Sequence, residues 1–459
     1  MSTSPRRKLF GTDGVRGPAG HFPLDAATIR TLGTSLAVHL QETLGHPPVI
    51  VIGRDTRESG PELEQALVDG ATAGGAECKS AGVITTPGVA YLARTLDADA
   101  GVVISASHNP YEDNGVKIFA PSGRKLDDET ERLIESDIFA SPDERRWKTE
   151  KGKSQNPGDL GPQLRTRYLD FLANEIGKGL LLKNFRLVLD CANGAASHLA
   201  PSLFERLGAH VIATNNIPDG RNINRDCGSL HIESLQQKVI AEKADLGVAF
   251  DGDADRSLFV DAKGRYVDGD GTLWVLANYL HARSELNNGV VVATVMSNIG
   301  LEIALRSRGM SIVRTDVGDK YVLDELIRSA ASLGGEQSGH IIFPRLSLAG
   351  DGMITTICLL RAMSEQRQSL PELTGGFERY PQILVNVEVL EKRPFADVES
   401  IQKLVRETES RLGDRGRLLL RYSGTEPLAR VMIEGESQSE IEALAKNLAA
   451  LIGRNLGKG

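Results

Sequence analysis

A pattern that recurs three times constrains the fold more than any other feature of the 459 residues: an apolar strand, a small polar loop, an amphipathic helix and a second strand. The first copy runs from strand Val49–Ile52 through loop Gly53–Gly60 into a helix from about Pro61. Leu63, Ala66, Leu67 and Ala71 give that helix an apolar stripe at helical spacing. Ser59 and Glu62 read as a capping box at its start, and Gly74-Gly75 as its stop. The second copy has strand Leu187–Leu189, loop Asp190–Ser197, the stripe Ala200, Leu203, Phe204 and Leu207, and an end at Gly208. The third has strand Val290–Val295, loop Met296–Gly300, then Leu301, Ala304 and Leu305, ending at Gly309. Units of this kind build parallel sheets covered by helices and gather ligands at the carboxyl ends of the strands.

The expectation is α/β: three similar domains with mixed or parallel sheets, then a smaller C-terminal α+β domain. In that last part, Arg417–Tyr422 and Ala429–Glu434 read as strands flanking a short loop. A helix follows with Ile441, Leu444, Ala445, Leu448 and Leu451 on one face. The expected domains are 1–155, 156–258, 259–374 and 375–459, with Ser141–Gly161 and Pro371–Pro381 as linkers. Length alone, at roughly 150 residues per domain, gives about three.

Charge and cysteines narrow the function. A net charge of −8 disfavours general nucleic-acid binding but leaves room for a local basic pocket. Cys78, Cys191, Cys227 and Cys358 lie far apart, which suggests neither a zinc site nor a disulfide framework and points to a reduced, cytoplasmic compartment. The polar start leads into no apolar signal region, and no apolar run reaches membrane-spanning length. No Walker A loop occurs: Gly152-Lys153-Ser154 has Trp147 where the upstream glycine belongs.

Five short segments could carry chemistry. In Asp251-Gly252-Asp253-Ala254-Asp255-Arg256, carboxylates at alternate positions can converge on one hard cation. The segment fails as an EF-hand, with Arg256 at the sixth position and Ala262 at the twelfth; taken alone it is equally a solvated acidic turn. Ser105-Ala106-Ser107-His108-Asn109-Pro110 follows the apolar strand Gly101–Ile104 and offers Ser107 as a nucleophile beside His108, or a polar turn. Lys117, ten residues after Ser107, could return to the same place. Arg421-Tyr422-Ser423-Gly424-Thr425-Glu426-Pro427, with Arg430 beyond, is an anion nest with two forked donors, or a hairpin turn with solvated arginines. Gly334–His340 places Glu336, Gln337 and Ser338 between glycines, which suits sugar hydroxyls or a flexible turn. Phe10–Gly17 carries Arg16 as a phosphate candidate in a glycine-rich turn.

Taken together, in this order and over nearly the whole chain, these segments resemble the α-D-phosphohexomutase superfamily. Phe10–Gly17, Ser105–Pro110, Asp190–Ala196, Asn222–His231, Val267–Asp270, Val317–Val322 and Gly335–His340 point to its glucosamine-phosphate branch. Ala254, Lys320 and Tyr422 depart from the usual pattern. The resemblance implies four domains around one cleft. It implies a phosphorylated Ser107, with Mg²⁺ held by that phosphate and Asp251, Asp253 and Asp255. Arg16 and Arg256 would assist beside the phosphoserine, and Lys117 and His108 would be acid–base groups. Glu336, Ser338 and His340 would grip the sugar, while Arg421, Ser423, Gly424, Thr425 and Arg430 would hold the idle phosphate. Hexose 1,6-bisphosphate would be primer and intermediate, the partner a small phosphosugar, and the protein a monomer or homodimer without nucleic-acid or membrane partners. A lysine base would need a lowered pKa. Three other readings compete: the glucose/mannose branch, a metal-dependent phosphatase, and a non-catalytic phosphosugar sensor.

Overall fold

The computed structural model describes residues 9–11, 13–145, 147, 160–423 and 426–457. Its first unit holds β1 (Val15–Pro18), α1 (Ala26–Leu44), β2 (Val49–Arg54), α2 (Gly60–Ala73), β3 (Glu77–Val83), α3 (Thr86–Thr95), β4 (Ala100–Ile104), β5 (Asp113–Phe119) and α4 (Asp128–Phe139). The sheet order is β1-β5-β4-β2-β3, with β2 parallel to β3 and β4, and β5 antiparallel to β4. The side chains of β4 are buried throughout, as expected of an apolar strand covered on both faces.

The second unit repeats this plan with α5 (Gly161–Phe171), β6 (Arg186–Asp190), α6 (Ala196–Arg206), β7 (His210–Thr214), α7 (Glu233–Glu242), β8 (Leu246–Phe250), β9 (Ser257–Asp261) and β10 (Tyr266–Val267). Its order is β10-β9-β8-β6-β7. The sheet therefore continues to Val267, past the expected boundary at 258, because the acidic loop turns the chain into an antiparallel strand of the same sheet. The third unit has α8 (Gly269–Ala282), β11 (Val290–Thr294), α9 (Ile299–Ser307), β12 (Ser311–Thr315), α10 (Asp319–Ser329), β13 (Leu333–Gly335), β14 (Ile341–Ile342) and α11 (Gly352–Gln366), with sheet order β12-β11-β13-β14.

A short α12 (Leu370–Leu373) begins the expected second linker. The last unit is β15 (Gln382–Glu388), α13 (Glu399–Leu412), β16 (Arg417–Tyr422), β17 (Leu428–Glu434) and α14 (Gln438–Leu456). Its three strands, in order β15-β17-β16, are all antiparallel.

Two details differ from the sequence reading. Ser59 makes no cap hydrogen bond at α2; its hydroxyl accepts from Asn114 Nδ2 at 2.9 Å instead. Of the first expected linker, 146 and 148–159 lie outside the described residues, and Gly161 already opens α5.

One hydrophobic cluster runs through all of the first three units, joining Val51, Leu164, Phe204, Phe250, Trp274 and Ile354. The fourth sheet has its own core, built from Val431, Ile433, Ile441, Leu444 and Leu448. Three units are thus fused by shared apolar burial, while the fourth meets them through polar contacts such as Glu434, which accepts from Ile299 N at 3.2 Å.

Candidate active site

In each of the first three sheets, the third parallel strand (β4, β8 or β13) ends in a loop that leads to an antiparallel strand. Ser107, Asp251–Arg256 and Glu336–His340 occupy those three equivalent loops. Ser107 is buried, with φ 51°. A non-glycine residue in this left-handed region is strained, and such strain concentrates at functional sites. Ser105 Oγ accepts from Ser107 N at 2.9 Å and itself donates to Asp55 Oδ2 at 2.7 Å, which holds the turn.

Two braces of this loop carried no assigned role in the sequence reading. Arg57, wholly buried, pairs with Asp55 at 2.8 Å. Its guanidinium donates to the carbonyls of Ser107 (2.9 Å), Asn109 (2.9 Å), Asp113 (3.0 Å) and Pro110. Asn224 Nδ2 donates to Ser107 O at 2.8 Å and Asn109 O at 3.0 Å. The available signal was positional: Arg54-Asp55-Thr56-Arg57 is a charged run at the carboxyl end of the first apolar strand.

Ser107 Oγ donates to Asp251 Oδ2 at 2.5 Å. Ligand atoms of Asp251, Asp253 and Asp255 all lie within 4.8 Å of one another, and all three residues are buried. Asp253 Oδ1 and Asp255 Oδ1 are buried without a hydrogen-bond partner. Buried carboxylate oxygens left unpaired, in an oxygen-only set, fit a hard divalent cation. Burial pushes the Asp251 carboxyl well above its ordinary value, and Asp255 and Asp253 add to this. Gly252 is required where it stands, since a Cβ there would lie 2.5 Å from Ser107 O. Ala254 sits at φ 55°, which gives a backbone reason for the glycine more usual at that position.

Lys117, on β5, does return to the site. Its Nζ lies 2.9 Å from Asp253, 3.2 Å from Asp13 and 3.4 Å from Asp255. The lowered lysine pKa does not follow. Burial does act to lower it, but Asp13, Asp253 and Asp255 together hold the ammonium well above its ordinary value. Asp13 is a fourth carboxylate that the sequence reading passed over beside Arg16; it also hydrogen-bonds Arg16 and takes Lys125 Nζ at 2.7 Å.

His108 Nδ1 lies 3.3 Å from Ser107 Oγ and 3.2 Å from Arg256 Nη1. Burial pushes this imidazole down to about 4, with Arg256 and Arg16 adding to the effect. Glu336 Oε1 accepts from Gly318 N at 3.1 Å, and Ser338 Oγ is buried without a partner. His340 is buried, with its ring 3.6 Å from Asp255 and 4.0 Å from Asp319. Burial works to lower its pKa, but Asp255, Asp319 and Glu336 raise it to about 9, so the ring is a cation of the charged centre. Arg16, Arg256, Asp255, Glu336 and His340 line a cavity of about 480 Å³.

The fourth-sheet residues stand apart. Among the described residues, no hydrogen bond or ion pair joins Arg421, Ser423 or Arg430 to Ser107, Arg256 or Glu336. Arg421 and Arg430 are direct cross-strand partners. Like charges placed opposite repel unless an anion lies between them. Arg430 Nη2 lies 3.4 Å from Ser423 Oγ. Gly424 and Thr425 lie outside the described residues. Tyr422 stacks on Phe395 at 4.2 Å and donates to Arg393 O, so this departure belongs to the packing of the fourth core.

Comparison with known proteins matches this arrangement along its length. Models of phosphoglucomutase/phosphomannomutase alpha/beta/alpha domains I, II and III match residues 7–145, 166–264 and 268–380, and the C-terminal domain matches 384–451. The chain belongs to the phosphoglucomutase/phosphomannomutase family. Phosphoglucosamine mutase from Solibacter usitatus is 46% identical over 98% of this chain and 100% of its own length. The enzyme of that name from Myxococcus xanthus is 45% identical over 98% of both chains. A family protein from Burkholderia thailandensis superposes with a TM-score of 0.78 at 24% identity, covering 97% of each chain. Aspergillus fumigatus N-acetylphosphoglucosamine mutase, solved with GlcNAc-6P and magnesium, has a TM-score of 0.64 at 19% identity and covers 97% of this chain and 95% of its own. These two likenesses show the family fold.

Replacing Arg57 by methionine should cost about 3–5 kcal/mol, since it leaves the Asp55 carboxylate buried without its cation and removes one donor from each of four loop carbonyls. Chemical denaturation measures this, and a loss under about 1 kcal/mol would contradict the clamp. The metal-free protein should also show two histidines displaced in opposite directions by NMR titration, His108 near 4 and His340 near 9. The unfolded chain takes up the His108 proton near 6.5, so this group's stability contribution is lost as pH falls from 6.5 through about 4. That of His340 is lost as pH rises from 6.5 through about 9.

Proposed function

We propose that this protein interconverts glucosamine 6-phosphate and glucosamine 1-phosphate through a phosphorylated Ser107 and a glucosamine 1,6-bisphosphate. The observation that carries this reading is Ser107 Oγ, strained at its backbone and 2.5 Å from one of three converged buried carboxylates. Relatives named phosphoglucosamine mutase, 44–46% identical over nearly the whole chain, support the amino sugar.

The phosphoryl group leaves Ser107 Oγ as its P–O bond breaks, and a new bond forms to the sugar's 1-oxygen. The proton of that hydroxyl passes to His108, whose ring is held neutral by burial, and from His108 Nδ1 to Ser107 Oγ, 3.3 Å away, as that oxygen leaves phosphorus. Lys117 stays charged, and with Arg256 and Arg16 it offsets the negative charge of the transferring group. The bisphosphate turns over, Ser107 Oγ attacks its 6-phosphoryl group, the bond from phosphorus to the sugar's 6-oxygen breaks, the serine proton passes through His108 to that oxygen, and glucosamine 1-phosphate leaves. Glu336 and Ser338 hold sugar hydroxyls, and His340 backs them from the charged centre. Arg421, Ser423, Gly424, Thr425 and Arg430 hold the phosphate that is not reacting.

Asp251, Asp253 and Asp255 would hold Mg²⁺ beside the phosphoserine, and its chemistry there is charge stabilisation of the phosphoryl oxygens. A hexose 1,6-bisphosphate primes the serine. The crystal structure of the Aspergillus enzyme with GlcNAc-6P and magnesium is a parallel for both ligands. The product would feed amino-sugar nucleotide and cell-wall synthesis in the cytoplasm. No helix among the described residues is long and apolar enough to cross a membrane.

A substrate panel tests the reading. Protein, Mg²⁺ and a trace of hexose 1,6-bisphosphate are incubated separately with the 6-phosphates of glucosamine, glucose and mannose, and each 1-phosphate is followed by phosphorus NMR. The expected result is strong preference for glucosamine 6-phosphate and near-complete loss of turnover in Ser107→Ala. Preference for glucose or mannose moves the protein to the sister branch; phosphate release without isomerisation marks a phosphatase; retained turnover in Ser107→Ala rules out the phosphoserine.

A further inference from the structure

We infer that Asp268, in the Val267–Asp270 turn, is a positioning residue that couples the Glu336–Gly339 turn to the segment entering the fourth sheet. The inference rests on the reading that Glu336–Gly339 faces the sugar. Asp268 is buried and caps α8, its Oδ1 accepting from Gly271 N at 3.0 Å. Its Oδ2 faces two donors from distant parts of the chain: Arg379 Nη1 at 2.5 Å and Gln337 Nε2 at 3.4 Å. Arg379 belongs to the segment between α12 and β15, and Gln337 to the middle of the sugar-facing turn.

The backbone tightens the same junction. Gly269 N donates to Gln337 O at 2.9 Å. A Cβ on Gly269 would lie 2.0 Å from Glu336 O, so only glycine lets the two turns approach this closely. Asp270 extends the bracket on its other side. Its Oδ2 accepts from Asn298 N at 2.8 Å, and Asn298 pairs with Tyr380 through N–H···Oδ1 (2.9 Å) and Nδ2···O (3.0 Å). Asn298 Nδ2 also reaches Glu434 Oε1 at 3.2 Å, on the fourth sheet itself.

The turn therefore holds the sugar-facing loop with one hand and residues 379–380 and the fourth sheet with the other. An intermediate that must reverse inside the cleft needs sugar contacts and phosphate contacts to loosen together. A shared carboxylate supplies that coupling, because Arg379 and Gln337 both donate to Asp268 Oδ2, so moving one changes the hold on the other. The bracket also gives Gln337 a use other than touching the sugar.

Hydrogen–deuterium exchange tests this in the full chain without any ligand. Asp268→Asn keeps the cap, since asparagine caps as well as aspartate, but removes the charge that holds Arg379. Arg379→Gln changes a half-exposed side chain and leaves the fold intact. Both variants should raise amide exchange at 336–339, and the double variant should exchange no faster than either alone. In turnover, each should raise KM for glucosamine 6-phosphate roughly 2- to 5-fold with kcat little changed. Unchanged exchange at 336–339 in Arg379→Gln overturns the inference, as does a double variant whose effect is the product of the two. Exchange needs no substrate, so a wild-type protein inactive on every hexose phosphate overturns the proposed reaction while the exchange result still decides the bracket.

Discussion

Three buried carboxylates within 4.8 Å of one another set the terms for the rest of the molecule. Buried charges this close cannot stay ionised together without compensation. The chain answers with cations from separate places: Lys117 from β5, Arg256 from the same loop, and His340 from the third sheet. Their pKa values follow from that geometry. Lys117 and His340 are held protonated by the acids they face, while burial, helped by Arg256 and Arg16, holds His108 neutral. One cluster thereby contains fixed cations and one ring free to accept a proton, within reach of one hydroxyl.

A division of labour among equivalent loops supports the cluster. The third parallel strands β4, β8 and β13 deliver the chemically active loops. The loops after β2 and β6 brace the first two of these, and the loop after β11 ties to residue 380 and the fourth sheet. Arg57 after β2 ties down the carbonyls around Ser107. After β6, Ala195 N donates to Gly252 O at 2.8 Å and steadies the acidic loop. After β11, Asn298 secures the approach to the fourth sheet. Repeating one fold three times thus places an active loop beside a bracing loop in the first two units, and the shared core keeps all three in register.

The fourth sheet obeys a different rule. It is closed on its own core, and it meets the third unit through Glu434, Arg417 and Asn298 rather than through apolar area. Polar junctions of this kind exchange with water at small cost, so they permit relative movement that a fused core forbids. Arg421 and Arg430 are cross-strand partners there, and Arg430 pairs with Glu426 at 3.2 Å. A reaction that keeps one phosphate anchored while the sugar reverses calls for such an arrangement.

Periodicity located the three strand–loop–helix units and the C-terminal strands and helix, because these depend on local spacing, while Asp251–Arg256 and Ser105–Pro110 stood out as segments that could carry chemistry and took their roles from the family resemblance. Lys117 could be placed too, since one antiparallel strand brings it back from the serine loop. Burial and long-range pairing were beyond that reach. The second sheet's extension to Val267 depends on strand pairing, and Ser59 makes no cap because its backbone is already helical, its hydroxyl accepting instead from Asn114, 55 residues away. The roles of Arg57, Asp13 and Asn224 exist only once distant loops are packed together. The protonation of Lys117 lay beyond reach for the same reason: a sequence shows that a lysine could return to the site, but only the fold shows Asp13, Asp253 and Asp255 around its ammonium, which hold it charged against the effect of burial.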